Sequence, residues 1–246
     1  MEKEIRRHFS KIGFAYLAGS IVIYAVQFLA ALVSRIPAQN IEERKMTAGQ
    51  WIIAFLMCYG LMYAGNLIGT ALTFGIGMVK GTGVDNPLVS TVMQLNPWVT
   101  FVIAVLIAPT AEELLFRKLL TERIVKYGEL AAVLASGLFF GLFHGNLNQF
   151  SYAFLLGLFL GFIYVKTGKL RYTIGLHMAI NFIGSSLGTW MLRVTGYMDT
   201  METLTKFLNT KDLTVLEDLG NGIVGMLIFG CYASLILMMA GAGLIL

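Results

Sequence analysis

Three short stretches of this 246-residue chain set ionisable and hydrogen-bonding side chains into otherwise apolar sequence: Ala111–Lys118 reads "AEELLFRK", Phe139–Asn146 reads "FFGLFHGN" and Leu176–Asn181 reads "LHMAIN". An ionisable group at mid-membrane costs about 2.5–3.5 kcal/mol on insertion scales, so such residues are retained for a reason. In the first stretch Glu113 and Arg117 are i, i+4 neighbours on a helix and can pair. Glu112 points about 100° away from Glu113 and is left without that partner. One glutamate is then structural and the other available for chemistry. The plainer alternative is three interfacial charges at a helix end. In the second stretch His144 follows Phe140 by four residues, on the same helical face; taken alone, it reads as an interfacial side chain. In the third, His177 and Asn181 are i, i+4 on one helix. They could hold a ligand oxygen or glue two membrane helices together.

Depth is what joins the three. With Gly128 as the turn between two antiparallel helices, Glu112 lies sixteen residues before it and His144 sixteen after it. Glu112 counted from Lys118, and His177 counted from Arg171, are each about 9 Å along their helices at 1.5 Å per residue. Glu112, His144 and His177 can thus share one level, with Asn181 a turn deeper. This requires the chain from Lys118 to about Leu138 to project from the membrane or skim it. A partly desolvated glutamate has a raised pKa and can take a proton from water. A histidine beside it can orient that water, and a His/Asn pair can stabilise the oxyanion formed at a scissile carbonyl.

The elements that must position these residues follow from composition. The chain is 57% hydrophobic and 13% charged, against about 25% charged in an ordinary soluble domain. Mean hydropathy is +0.74. A soluble core of this length could not bury so much apolar surface, so lipid is the remaining solvent. The fold class expected is all-α: a polytopic transmembrane helical bundle of about seven to eight spans, with candidates at 12–33, 51–79, 98–116, 130–147, 149–166, 172–192 and 220–246. Residues 1–246 read as one integral membrane domain. Pro87 and Pro97 fall in a loop with a short surface helix. Gly137, Gly141, Gly157 and Gly161 would let helices pack closely. The two cysteines, Cys58 and Cys231, lie in apolar runs and are assigned neither a disulfide nor a metal. The basic N-terminus precedes an apolar run too long for a signal peptide.

The net charge of +4 sits mostly in clusters between apolar runs, which report orientation and not a nucleic-acid partner. Arg117, Lys118, Arg123 and Lys126 form one cluster; Lys166, Lys169 and Arg171 form another. The loop from Leu192 to Gly220 is acidic on balance. The positive-inside rule puts the basic segments in the cytoplasm and the acidic loop outside. Counting spans backwards then places the N-terminus outside, which conflicts with its basic "EKEIRRHFSK". The apolar end "GAGLIL" reads as a chain cut short.

The ordered set EExxxR ("EELLFR"), FxxxH ("FGLFH") and HxxxN ("HMAIN") resembles the CPBP family of CAAX-type proteases and bacteriocin-processing or immunity proteins. The resemblance covers about residues 95–190. It implies an intramembrane endopeptidase with a helical core open to the cytosolic side. Carried over, Glu112 and His144 activate water and His177 and Asn181 bind the oxyanion. Glu113, Arg117 and Phe140 support the site. HExxH is absent and no cofactor is expected; the alternative is zinc held by Glu112, His144 and His177 with a water in the fourth position. Expected partners are membrane lipid and a peptide or protein substrate. The chain's length and compactness resemble bacterial members, so the expected location is a bacterial plasma membrane, with peptide pheromone or bacteriocin precursors as substrates. A non-enzymatic immunity or scaffold protein is the competing reading. A transporter is a third, without an inverted repeat to support it.

Overall fold

The computed structural model describes residues 31, 33–81, 95–214 and 219–246. Among these every regular element is helical. Helix α1 is Ala48–Lys80, α2 is Pro97–Tyr127, α3 is Glu129–Phe143 and α4 is Leu147–Thr167. Helix α5 starts as Leu170–Asn181, winds as a π-helix over Phe182–Leu187 and ends as Gly188–Val194. Helix α6 is Tyr197–Thr210 and α7 is Gly220–Ile245.

Helices α1, α2 and α4 and the stretch Gly222–Ile245 of α7 are long and apolar enough to cross a membrane. The chain is an integral membrane protein of the all-α class. Large apolar side chains such as Phe74, Val79, Trp98, Leu130 and Leu227 are exposed, which suits a surface facing lipid. The span expected at 130–147 is α3, a helix of 15 residues, and that expected at 172–192 falls within α5. The span expected at 12–33, with the N-terminal orientation it bears on, lies almost wholly outside the described residues. So does most of the loop around Pro87. The loop expected between Leu192 and Gly220 carries α6.

Helix α2 has 31 residues, roughly 45 Å of helix against about 30 Å of hydrocarbon, so part of it must project. Its start is fixed locally: the Asn96 side chain accepts from the Trp98 backbone N–H at 2.9 Å and Pro97 takes the first helical position, where its missing N–H costs nothing. It winds as a π-helix over Phe101–Ile107 and Leu114–Thr121. These stretches flank Ala108–Glu113, which carries both motif glutamates. Gly128, at φ 115°, makes the turn into α3 in a backbone region that suits glycine.

The chain divides into two compact units, the first made of residues 1–47, 61–84 and 111–173, the second of 48–60, 85–110 and 174–246. In the first unit α3 and α4 form an antiparallel hairpin packed through small residues. A Cβ on Gly157 would stand 3.0 Å from the Gly137 Cα, and one on Gly161 would stand 3.1 Å from the Ser136 Cβ. The GxxxG spacing is thus used for close approach. The α1 part of this unit crosses α4 just as tightly: a Cβ on Gly65 would lie 2.4 Å from the Tyr152 Cα. Because backbone, not a flexible side chain, stands in the way, Gly65→Ala should destabilise the protein by about 1–3 kcal/mol. Thermal unfolding in detergent, compared with Gly75→Ala where a Cβ meets nothing within 4 Å, checks this.

An extended segment before α1 ties the basic helix ends together. Gln39 N–H donates to the Glu122 carbonyl at 2.7 Å and Arg44 N–H to the Thr167 carbonyl at 2.8 Å. The Lys169 ammonium lies 3.0 Å from Glu43 and holds that carboxyl below its usual range. Gly168, at φ 61°, lets the turn after α4 approach the Ile41 and Glu42 carbonyls. In the second unit, Tyr59 donates to the Ile180 carbonyl at 3.4 Å and Tyr232 to the Ile183 carbonyl at 2.5 Å.

Candidate active site

The Glu113–Arg117 pair forms as its spacing implies. Arg117 Nε lies 3.0 Å from Glu113 Oε2, and both side chains are fully buried. Arg117 Nη1 donates to Ser136 Oγ at 3.2 Å, and its guanidinium lies 4.9 Å from the centre of the Phe140 ring. Phe140 meets Phe116 edge to face at 5.3 Å. A charged pair thus joins α2 to α3 in the packed interior of the first unit. Glu112, one position back, is half-buried. The two adjacent glutamates therefore occupy different environments, one sealed and one partly accessible.

His144 caps α3, and its ring is oriented by the helix it ends. Nδ1 lies 2.9 Å from the Phe140 carbonyl oxygen. A carbonyl only accepts, so Nδ1 carries the proton, and in the neutral ring Nε2 presents its lone pair. FxxxH is therefore a local device. Phe140 packs its ring on Arg117 and gives its carbonyl to His144 one turn later. The imidazole packs edge-on to Phe140 at 5.1 Å, Phe143 at 6.2 Å and Tyr152 at 6.2 Å. Glu112, His144 and Tyr152 belong to the same unit.

His177 and Asn181 belong to the second unit, one turn apart on α5. His177 is buried. Asn181 Nδ2 donates to the Ala104 carbonyl at 2.8 Å, a carbonyl within the first π-helical stretch of α2. This bond uses one of the two donors of the carboxamide and fixes which way the group faces. Ser185 Oγ donates to the Asn181 carbonyl as α5 passes into its own π-helical stretch. π-Helical insertions recur at functional sites, and here they adjoin both the EExxxR and the HxxxN residues. Among the described residues, no three His, Cys, Asp or Glu side chains gather as a metal site.

The motifs did not point to the polar turn that follows His144. Asn146 caps α4, its Oδ1 accepting from the Gln149 backbone N–H at 2.8 Å, while its Nδ2 donates to Gln149 Oε1 at 2.5 Å. The available signal was density: "HGNLNQFSY" holds more hydrogen-bonding residues than any neighbouring apolar run.

Helices long and apolar enough to cross a membrane, carrying a buried Glu113–Arg117 pair with the half-buried Glu112 beside it, define a polytopic helical membrane protein. Residues 94–183, which contain all three motifs, match the family model of Rce1-like type II CAAX prenyl endopeptidases. That match agrees with the CPBP resemblance read from the motifs. No curated protein and no solved structure matches the chain significantly.

Proposed function

We propose that this chain is a glutamate-dependent intramembrane endopeptidase that cleaves a membrane-associated peptide or protein. The observation that carries the reading is His144. Its Nδ1–H is committed to the Phe140 carbonyl, and its ring packs edge-on to Phe140 and Tyr152. Glu112 takes a proton from water while His144 Nε2 accepts a hydrogen bond from the same water and orients it. The water oxygen attacks the scissile carbonyl carbon, and His177 and Asn181 bind the resulting oxyanion. Glu112 then returns the proton to the amide nitrogen as the C–N bond breaks.

The basic segments at 117–126 and 166–171 support a site towards the cytoplasmic face, and the length and compactness of the chain, which resemble bacterial members of the family, favour a bacterial plasma membrane and peptide pheromone or bacteriocin precursors as substrates. The expected experiment is cleavage of internally quenched peptides, carrying a C-terminal prenyl group or a hydrophobic segment, by the purified chain in detergent. His144→Ala should abolish cleavage in a protein that still folds. Strong chelators should leave the wild-type rate unchanged. Loss with phenanthroline, restored by zinc, would instead assign Glu112, His144 and His177 as ligands of a zinc ion that activates the water.

A further inference from the structure

Helix α5 changes its winding directly after Asn181, and the carbonyls on both sides of that residue are held from other helices. Over Phe182–Leu187 the helix is π-wound, and the Gly188 N–H reaches back to the Ile183 carbonyl. Carbonyls in and around this stretch accept from hydroxyls. Ser185 Oγ donates to the Asn181 carbonyl and Thr189 Oγ1 to the Ser185 carbonyl, both from within α5. Two further donors are phenols from elsewhere in the chain. Tyr59 of α1 donates to the Ile180 carbonyl at 3.4 Å, and Tyr232 of α7 donates to the Ile183 carbonyl at 2.5 Å. Gly188 leaves room for the second phenol, since a Cβ there would stand 3.2 Å from the Tyr232 hydroxyl. On the α2 side, Asn181 Nδ2 donates to the Ala104 carbonyl at 2.8 Å, and Phe182 meets Phe101 edge to face at 6.1 Å. All of these residues lie in the second unit.

We propose that Tyr59 and Tyr232 are positioning residues that hold Asn181 where its carboxamide can bind the oxyanion. The inference rests on the protease reading and deepens it. The peptide group between Ile180 and Asn181 carries the carbonyl that Tyr59 meets, so that phenol fixes the backbone at Asn181 itself. Tyr232 acts through register. In a π-wound stretch each carbonyl serves the N–H five residues on, against four in an α-helix. A carbonyl has two lone pairs, and that of Ile183 takes the Gly188 N–H and the Tyr232 O–H. Without the phenol the stretch is free to relax towards α-winding. A shift of one residue turns Asn181 by about 100° relative to the rest of α5. Its bond to Ala104 then breaks, and its second N–H no longer faces the scissile carbonyl. Both phenols lie outside the segment that carries the three motifs, so the geometry of HxxxN depends on the chain before and after it.

Tyr232→Phe keeps the ring and removes the donor. The full chain is assayed in detergent with the peptide that the wild type cleaves fastest. In Tyr232→Phe, kcat should fall about 10- to 100-fold, the scale of a misplaced group. KM should stay near wild type, and the thermal midpoint should drop by no more than a few degrees. Tyr59→Phe, whose bond is longer, should lose a few-fold in kcat. The decisive measurement repeats Tyr232→Phe in an Asn181→Ala background by single-turnover kinetics. A phenol that acts through Asn181 costs about twofold at most there; a full further loss rejects the positioning role. Glu112→Gln is run alongside. If Glu112→Gln is inactive while Tyr232→Phe keeps the wild-type kcat, the role of Tyr232 is overturned and the protease reading stands. If Glu112→Gln is active, the reading beneath it fails. A Tyr232→Phe defect confined to KM, or to the thermal midpoint, also rejects the inference. Should Tyr232→Phe not fold, or Asn181→Ala leave no measurable rate, Tyr59→Phe decides: unchanged kcat in that variant rejects the inference.

Discussion

Glu112→Gln should lower kcat by about two to four orders of magnitude, the range carried by a positioned general acid–base, with little change in KM or thermal midpoint. Gln matches Glu in shape but cannot take a proton from water. The fold should tolerate the change because the buried ion pair of the first unit is made by Glu113, and Glu112 is half-buried beside it. The experiment is a steady-state comparison in detergent, with unfolding followed on the same preparation. It also separates the two classes of function. A scaffold or immunity protein that used these polar side chains only as packing glue would lose almost nothing on an isosteric exchange. Full activity in Glu112→Gln would remove the general base from the mechanism.

The adjacent glutamates show how much of the site was legible before any coordinates. Their 100° separation and the i, i+4 distance from Glu113 to Arg117 are properties of any helix, so the division between a sealed and an accessible carboxylate could be read from spacing. FxxxH was legible as a face but not as a device. The Phe140 carbonyl that sets the His144 tautomer is backbone, and it says nothing in a side-chain pattern. The turn at Gly128 was legible because a glycine between two apolar periods marks a break.

Tertiary contacts supplied what spacing could not. The π-helical stretches of α2 and α5 release carbonyls that must be satisfied elsewhere, and their partners are distant in sequence. Asn181 serves Ala104 and Tyr232 serves Ile183. No local signal in "FVIAVLI" or "FIGSSL" announces them. Tyr152 was missed for the same reason. Its place beside His144 follows from how α4 folds back on α3, which small residues at Gly137 and Gly157 permit but do not specify. The segment around 39–44 is extended only because the ends of α2 and α4 offer it carbonyls.

Arg117→Met should be the most destabilising single change in the first unit, by about 3–5 kcal/mol, because it leaves the Glu113 carboxylate buried without its counter-charge. It also removes the donor to Ser136 and the cation over Phe140, the latter worth about 0.5–2 kcal/mol. The distinguishing control is the double variant Glu113→Leu with Arg117→Met. Exchanging a buried pair for apolar groups of similar volume is often close to neutral, so the double variant should unfold at a higher temperature than the single one. That ordering is a non-additivity that two independent sites would not show. Activity should follow a different order. Both variants lose the guanidinium that packs against Phe140, whose carbonyl orients His144, so the double variant should recover stability without recovering the full cleavage rate. If the single variant is no less stable than the double, the Glu113–Arg117 pair is not what joins α2 to α3, and the structural role given to the second glutamate of EExxxR is lost.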